Sequence, residues 1–229
     1  MKKALIPVWA MVMLLGTLVP ARAGDVLDRI VATVNGHIVL QSDWDDAVRY
    51  EAFIAGRLPA QVTMADRKAA LDRLIDQELL REQMQSSDFP RATPEEIGKS
   101  IAQVRGQYPG AATESGWQSI LSRYRLTEKE LRDHIALRLD LMRLVDARLR
   151  PTVNIDAKSI ESYYNQELLP QLRQEGAKAL PLGEVSPRIK ELLTQRKVNQ
   201  LLLSWLQDLR AGSDIRTNLN STASGDRSR

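Results

Sequence analysis

The chain has 229 residues, 43% hydrophobic and 27% charged, enough to bury a core in one or two domains. It has no cysteine, which excludes disulfides and thiol chemistry. Lys plus Arg number 32, but Lys2, Lys3 and Arg22 fall in the first 23 residues; without them 29 basic residues face 29 acidic ones, so a basic nucleic-acid footprint is not supported.

Residues 1–23 read as a secretory leader cleaved after Ala23. Lys2 and Lys3 form its positive start, residues 4–20 its apolar core, and Ala21-Arg22-Ala23 its A-x-A cleavage site. Pro7, Gly16 and Pro20 break the apolar stretch, which argues against an uncleaved anchor. No cysteine is present to carry a lipid. Nothing after the leader is long and apolar enough to span a bilayer, so no stable membrane anchor is expected.

The stretch DRIVATVNGHIVLQSDW, residues 28–44, organises the rest of the chain. Two apolar runs, 30–34 and 38–40, flank Asn35-Gly36. This dipeptide is the strongest short hairpin signal, because a type I′ turn needs positive φ at both central positions. Closing the turn sets Val34 opposite His37, Thr33 opposite Ile38, Ala32 opposite Val39 and Val31 opposite Leu40. One face then carries Ile30, Ala32, Val34 and Val39, and the other Val31, Thr33, Ile38 and Leu40. Both are apolar, so cover on both sides is expected. A lone hairpin is marginal in water, so a third strand is expected too.

Ser42 is expected to cap a helix, with Asp43, Asp45 and Asp46 in a first turn that favours acids. The glycine-centred loop of a calcium site is absent. At about 100° per residue, Trp44, Ala47, Val48, Ala52 and Ala55 share one side, with Phe53 nearly opposite and Tyr50 and Ile54 towards it. Such a helix touches two layers or presents one face to a partner. Thr63 opens a second helix running to Gln85, with Ala70, Leu71, Leu74, Ile75 and Leu79 as its stripe. Thr93-Pro94-Glu95-Glu96 starts a third, by cap, N1 proline and third-position acid.

Trp117, Ile120, Leu121 and Tyr124 form a short helix. Thr127-Glu128-Lys129-Glu130 is a capping box for a central helix reaching Leu149, apolar widely enough to pack on several neighbours. Asp156 caps a helix carrying Ile160, Tyr163 and Tyr164. Residues 171–183, with Gly176, Pro181 and Gly183, read as a linker. A long helix is expected from Ser186-Pro187 to Arg210, stopped by Gly212. Ile215-Arg216-Thr217 reads as a short strand, and residues 218–229 as a disordered tail. The fold class read from these elements is mainly α, with a short N-terminal β-hairpin, a long C-terminal helix and a short C-terminal strand.

Catalytic motifs are missing from the sequence: it has no H-E-x-x-H, P-loop, G-x-G-x-x-G or G-x-S-x-G. His37 beside the turn and His134 on the central helix are the two histidines, and each reads as structural, since acid–base work needs a placed partner. No cofactor or metal is implied.

The run VLDRIVATVNGHIVLQSDW, followed by ALDRLIDQELLREQ, resembles the N-terminal domain of SurA-type periplasmic chaperones. The later run VSPRIKELLTQRKVNQLLLSWLQDLRAGSDIRT is similar to that family's C-terminal helix and closing strand. NIDAKSIESYYNQ is similar to the helix that leads into a parvulin prolyl isomerase domain. The resemblance implies a SurA-like chaperone domain over 24–170, with 171–183 standing where a parvulin domain would be inserted. Residues 184–217 would pack back onto it, and Ile215–Thr217 would join the hairpin. No parvulin histidine or glycine-rich motif has a counterpart in the short segment, so no enzyme activity is expected.

The function implied is ATP-independent binding of unfolded outer-membrane or secreted polypeptides in the periplasm. The alternatives are a prolyl isomerase by family label, and a dedicated assembly partner of one exported protein. Oligomeric state is left open. Tyr50, Phe53, Ile54, Trp117 and Tyr124 are the candidate client contacts, because apolar, adaptable faces suit varied clients. The plainer reading of each is helix-to-helix core.

Overall fold

The computed structural model describes residues 28–218. The leader expected over 1–23, and the expected tail beyond Asn218, lie outside these residues. The hairpin forms as its turn chemistry dictates. Strands β1 (Ile30–Val34) and β2 (His37–Leu40) are joined by Asn35 at φ 49° and Gly36 at φ 87°. Val34 faces His37, Thr33 faces Ile38 and Ala32 faces Val39, as the turn requires.

The pairing then slips: Leu40 faces Ile30 rather than Val31, which is bulged out of the ladder. A bulge adds one residue to one strand and breaks its alternation. Val31 and Ala32 are therefore buried in succession, while Ile30 and Ile38 stay 39% and 48% exposed. The expected two-sided cover is not formed. One face is core, and the other is partly open.

Strand β3 (Ile215–Thr217) pairs antiparallel with β1, giving the order β2-β1-β3. Asn35 does more than tolerate the turn. Its N–H donates to the Asp214 carbonyl at 2.9 Å, and its Oδ1 accepts the Asp214 N–H at 2.9 Å. Its Nδ2 donates to Ser213 Oγ at 3.2 Å and to Glu82 Oε2 at 2.8 Å. One turn residue thus ties together the hairpin, the C-terminal strand and the second helix.

Helix α1 (Gln41–Ile54) follows β2 without a loop. Asp43 Oδ2 accepts the Leu40 N–H at 2.9 Å. Ser42, expected as the cap, sits one residue inside and donates to Asp28 instead. Helices α2 (Met64–Gln85), α3 (Pro94–Gly106) and α5 (Glu128–Leu149) begin at Thr63, Thr93 and Thr127. Each hydroxyl accepts an N–H three residues on, and an acid at that position returns the bond. The short α4 (Glu114–Arg123) lies between α3 and α5.

Helix α6 (Ala157–Tyr163) is capped by Asp156, and α7 spans Leu169–Gln174. Helix α8 runs from Leu182 to Ala211, starting earlier than Ser186-Pro187 suggested. A proline this near a helix start forfeits a single hydrogen bond, and Ser186 Oγ donates to the Leu182 carbonyl at 2.6 Å. The irregular part of 171–183 is therefore 175–181, turning at Gly176 with φ 66°.

Apolar clusters hold these elements together. The sheet packs Val34 and Val39 on Trp44 and Val48 of α1 and on Leu71, Ile75 and Leu79 of α2. Phe53 of α1 sits with Trp117, Leu121 and Tyr124 beneath Leu131 and Ile135 of α5. Trp205, Leu206 and Leu209 of α8 pack on Leu80 and Met84 of α2 and Leu144 of α5. Arg210 fastens α8 to α2 through Asp76 Oδ1 at 2.6 Å and the Asp72 carbonyl at 2.8 Å.

Candidate functional site

A cleft of about 410 Å³ opens beside the hairpin. Each of its two long walls is a helical stripe at spacings i, i+3, i+4 and i+7. On α2 the stripe is Leu74, Gln77, Glu78 and Arg81; on α5 it is Glu130, Asp133, His134 and Leu137. This is the surface a helix turns to one neighbour. The α5 stripe lies away from Leu131 and Ile135, which are fully buried. Asp43 and Asp46 of α1 close one end, and His37, Ile38 and Val39 of β2 form the rest.

Both histidines of the chain reach this cleft, each facing a carboxylate. His134 Nε2 lies 2.6 Å from Asp46 Oδ2, and the Tyr50 ring stacks on the imidazole at 4.2 Å between centroids. Burial pushes the Asp46 carboxyl up. The His134 hydrogen bond and charge, with Arg49 at 3.2 Å, outweigh it and hold the group below the ordinary carboxylate value. His37 Nδ1 lies 3.6 Å from Glu78 Oε1, while Arg81 donates to Glu78 Oε2 at 2.7 Å. These contacts explain how Glu78, 6% exposed, sits as the buried charge among the described residues.

The cleft is strongly acidic. Asp43, Asp46, Glu78, Glu130 and Asp133 face Arg81 and the two histidines across an apolar floor of Val39, Leu74 and Leu137. No serine, threonine or cysteine lines it beside the imidazole–carboxylate pairs. Among the described residues no cluster of three His, Cys, Asp or Glu is placed to hold a metal ion. An arrangement of this kind, charged side chains beside apolar ones in an open cleft, can bind a ligand of mixed polarity.

The five candidate contacts do not form one surface. Phe53, Trp117 and Tyr124 are buried at 0%, 1% and 2%, which corrects the expectation that they meet clients in the folded state. Phe53 stacks on Tyr108 at 4.9 Å and meets Tyr124 edge-on at 5.3 Å, a packed aromatic core. Ile54 is half-buried against the same cluster. Tyr50 is half-buried and reaches the cleft only through His134. Its hydroxyl and Arg49 Nε are buried without a partner, and burial raises the phenol above its ordinary value.

The sequence reading named several of these residues singly, among them His37, Asp43, Asp46 and His134, but not their meeting in one cleft. The signal that marks them is a second stripe on α2 and α5, polar where the first is apolar, with the rare histidine in it.

The chain belongs to the SurA-like N-terminal domain family, whose model matches residues 2–144, more than half of its length. No curated protein matches the chain. Every cleft residue falls inside the matched stretch, whereas α8 and β3 lie beyond it.

Proposed function

We propose that this protein is an ATP-independent periplasmic chaperone that holds unfolded outer-membrane or secreted polypeptides, and that the acidic cleft is where it meets them. The observation that carries the reading is the open, partly apolar cleft in a SurA-like N-terminal domain, walled by helices.

In this reading residues 24–170 are the client-holding domain, 184–217 close it, and 171–183 mark where a catalytic domain could be inserted. Export and removal of the leader after Ala23 are supported by its sequence pattern. Among the described residues no helix is long and apolar enough to cross a membrane.

The test is suppression of aggregation when an unfolded outer-membrane porin is diluted from urea. A several-fold molar excess of the protein is expected to keep the porin in solution, and unchanged light scattering overturns the reading. In a protease-coupled assay on a proline peptide, no acceleration over the uncatalysed rate is expected.

A further inference from the structure

We infer that the free edge of β2 accepts an extended segment of the client as a fourth strand, and that this segment carries Lys or Arg beside apolar side chains. The inference rests on the client-binding reading above and names the class of segment bound. Its first support is the sheet order: β2 is hydrogen-bonded to β1 alone, so its other edge is unpaired. In an antiparallel ladder, pairs that exchange hydrogen bonds alternate with pairs that do not. The two-residue turn makes Val34 and His37 a bonded pair, so Thr33 and Ile38 are the next, unbonded pair. The N–H and C=O of Ile38 therefore point away from β1. The following outward N–H, of Leu40, is already taken by Asp43 at 2.9 Å. Ile38 is the open position, and its side chain is 48% exposed.

The cleft lies along that edge. Successive strand side chains point to opposite faces. A cavity touching His37, Ile38 and Val39 in succession therefore runs along the strand's edge and not along one of its faces. The lengths also agree. A stripe from i to i+7 runs about 10 Å at 1.5 Å per residue. Three residues of an added strand cover about 10 Å at 3.3 Å each. Strand β3 is the sheet's other edge, but it lines no part of this cleft.

Charge selects the occupant. Carboxylates from three helices, Asp43 and Asp46 of α1, Glu78 of α2, and Glu130 and Asp133 of α5, outnumber the cations beside them: Arg81 in the lining, and Arg49 and Lys129, which pair with Asp46 and Asp133. A carboxylate accepts several hydrogen bonds at once, so the internal bonds these acids make leave acceptor capacity for an incoming ammonium or guanidinium. Main-chain bonds to Ile38 supply affinity without regard to sequence, the apolar floor takes alternate side chains, and the acidic rim rejects acidic segments.

The test is fluorescence anisotropy on the purified protein with labelled, end-blocked hexapeptides alternating Val with Lys, or Val with Glu. The Lys peptide is expected to bind at least tenfold tighter at low salt, with the advantage shrinking as salt is raised. N-methylation of its alternate amides, which removes one edge's donors, is expected to weaken it about tenfold. The double substitution Gln77→Lys, Asp133→Lys is expected to abolish the preference for Lys over Glu.

Binding of the Lys and Glu peptides within twofold of each other, or indifference to N-methylation, overturns the inference. The methylated peptide needs no protein variant, so it decides the matter even if the double substitution unfolds the chain. A protein that holds porin in solution but does not discriminate the peptides overturns strand addition alone. One that discriminates the peptides but leaves porin to aggregate supports strand addition and overturns the chaperone reading.

Discussion

Helices α1 and α5 each build two regions of opposite character. On one side Phe53, Leu131 and Ile135 close over an aromatic cluster from which water is excluded. On the other, Asp46 and His134 of the same helices stand in an open, acidic cleft. The first region is rich in the residue types that grip unfolded chains, yet its aromatic rings are spent on one another. The second is polar, yet beside it β2 has no strand on its outer edge, and Ile38 there stays 48% exposed. Stability and recognition are thus separated by half a turn of helix, and aromatic content marks the former.

The largest test of that division is Phe53→Ala. Phe53 is fully buried against three other rings. Its removal is expected to cost about 3–5 kcal/mol in urea unfolding, through lost transfer energy and the cavity left behind. A loss under about 1 kcal/mol would place the ring at a surface and reinstate it as a client contact.

Asn35→Gly should act more mildly and on the other region. Glycine keeps the left-handed turn but loses the side-chain bonds to Asp214, Ser213 and Glu82. At a net ~0.5–1.5 kcal/mol each, discounted for exposure, the expected loss is about 1–3 kcal/mol. An unchanged urea midpoint would mean that β3 is held by its main-chain ladder and packing, without help from the Asn35 side chain.

What was legible in the sequence is what is decided locally. Asn35-Gly36, and Thr63, Thr93, Thr127 and Asp156 as caps, act within three residues of themselves, and each performs its predicted role. Ile215–Thr217 was readable as a short strand, and the resemblance to the family placed it beside the hairpin, where it pairs with β1. The bulge at Val31 was not, since nothing in IVATV distinguishes a bulged ladder from a regular one. The start of α8 misled because Ser-Pro suits a helix entrance, whereas the helix begins one turn earlier, at Leu182 directly after Pro181. The cleft was least legible. Asp46 and His134 are 88 residues apart, and their meeting depends on how α1 and α5 cross.

A smaller effect is expected at Asp46. Its carboxyl is held below the ordinary value of 3.8 in the folded protein. In the window between the folded and unfolded values the unfolded chain binds more protons, so stability rises with pH there. The contribution is fully present above the unfolded value and is lost as pH falls through the folded one. Asp46→Asn should therefore lower the melting temperature most at neutral pH, with the gap to wild type closing below pH 3.8. A gap that stays constant down to that range would show that the substitution acts through packing rather than lost charge.

The smallest expected effect cuts finest. Asp133 and Ile135 lie two residues apart on α5, one in the cleft wall and one wholly buried. Asp133 is 60% exposed in its side chain and pairs with Lys129 one turn away at 2.6 Å, an exposed contact worth a few tenths of a kcal/mol. Asp133→Lys removes that pair and sets two like charges one turn apart, so the expected loss stays near ~0.5 kcal/mol. Ile135→Lys places an unpaired charge in the aromatic cluster and should abolish cooperative melting. If Asp133→Lys abolished cooperative melting as Ile135→Lys is expected to, the α5 stripe would be core like the face opposite it. The cleft would then be closed in solution, and α1 and α5 would build one region where two are seen.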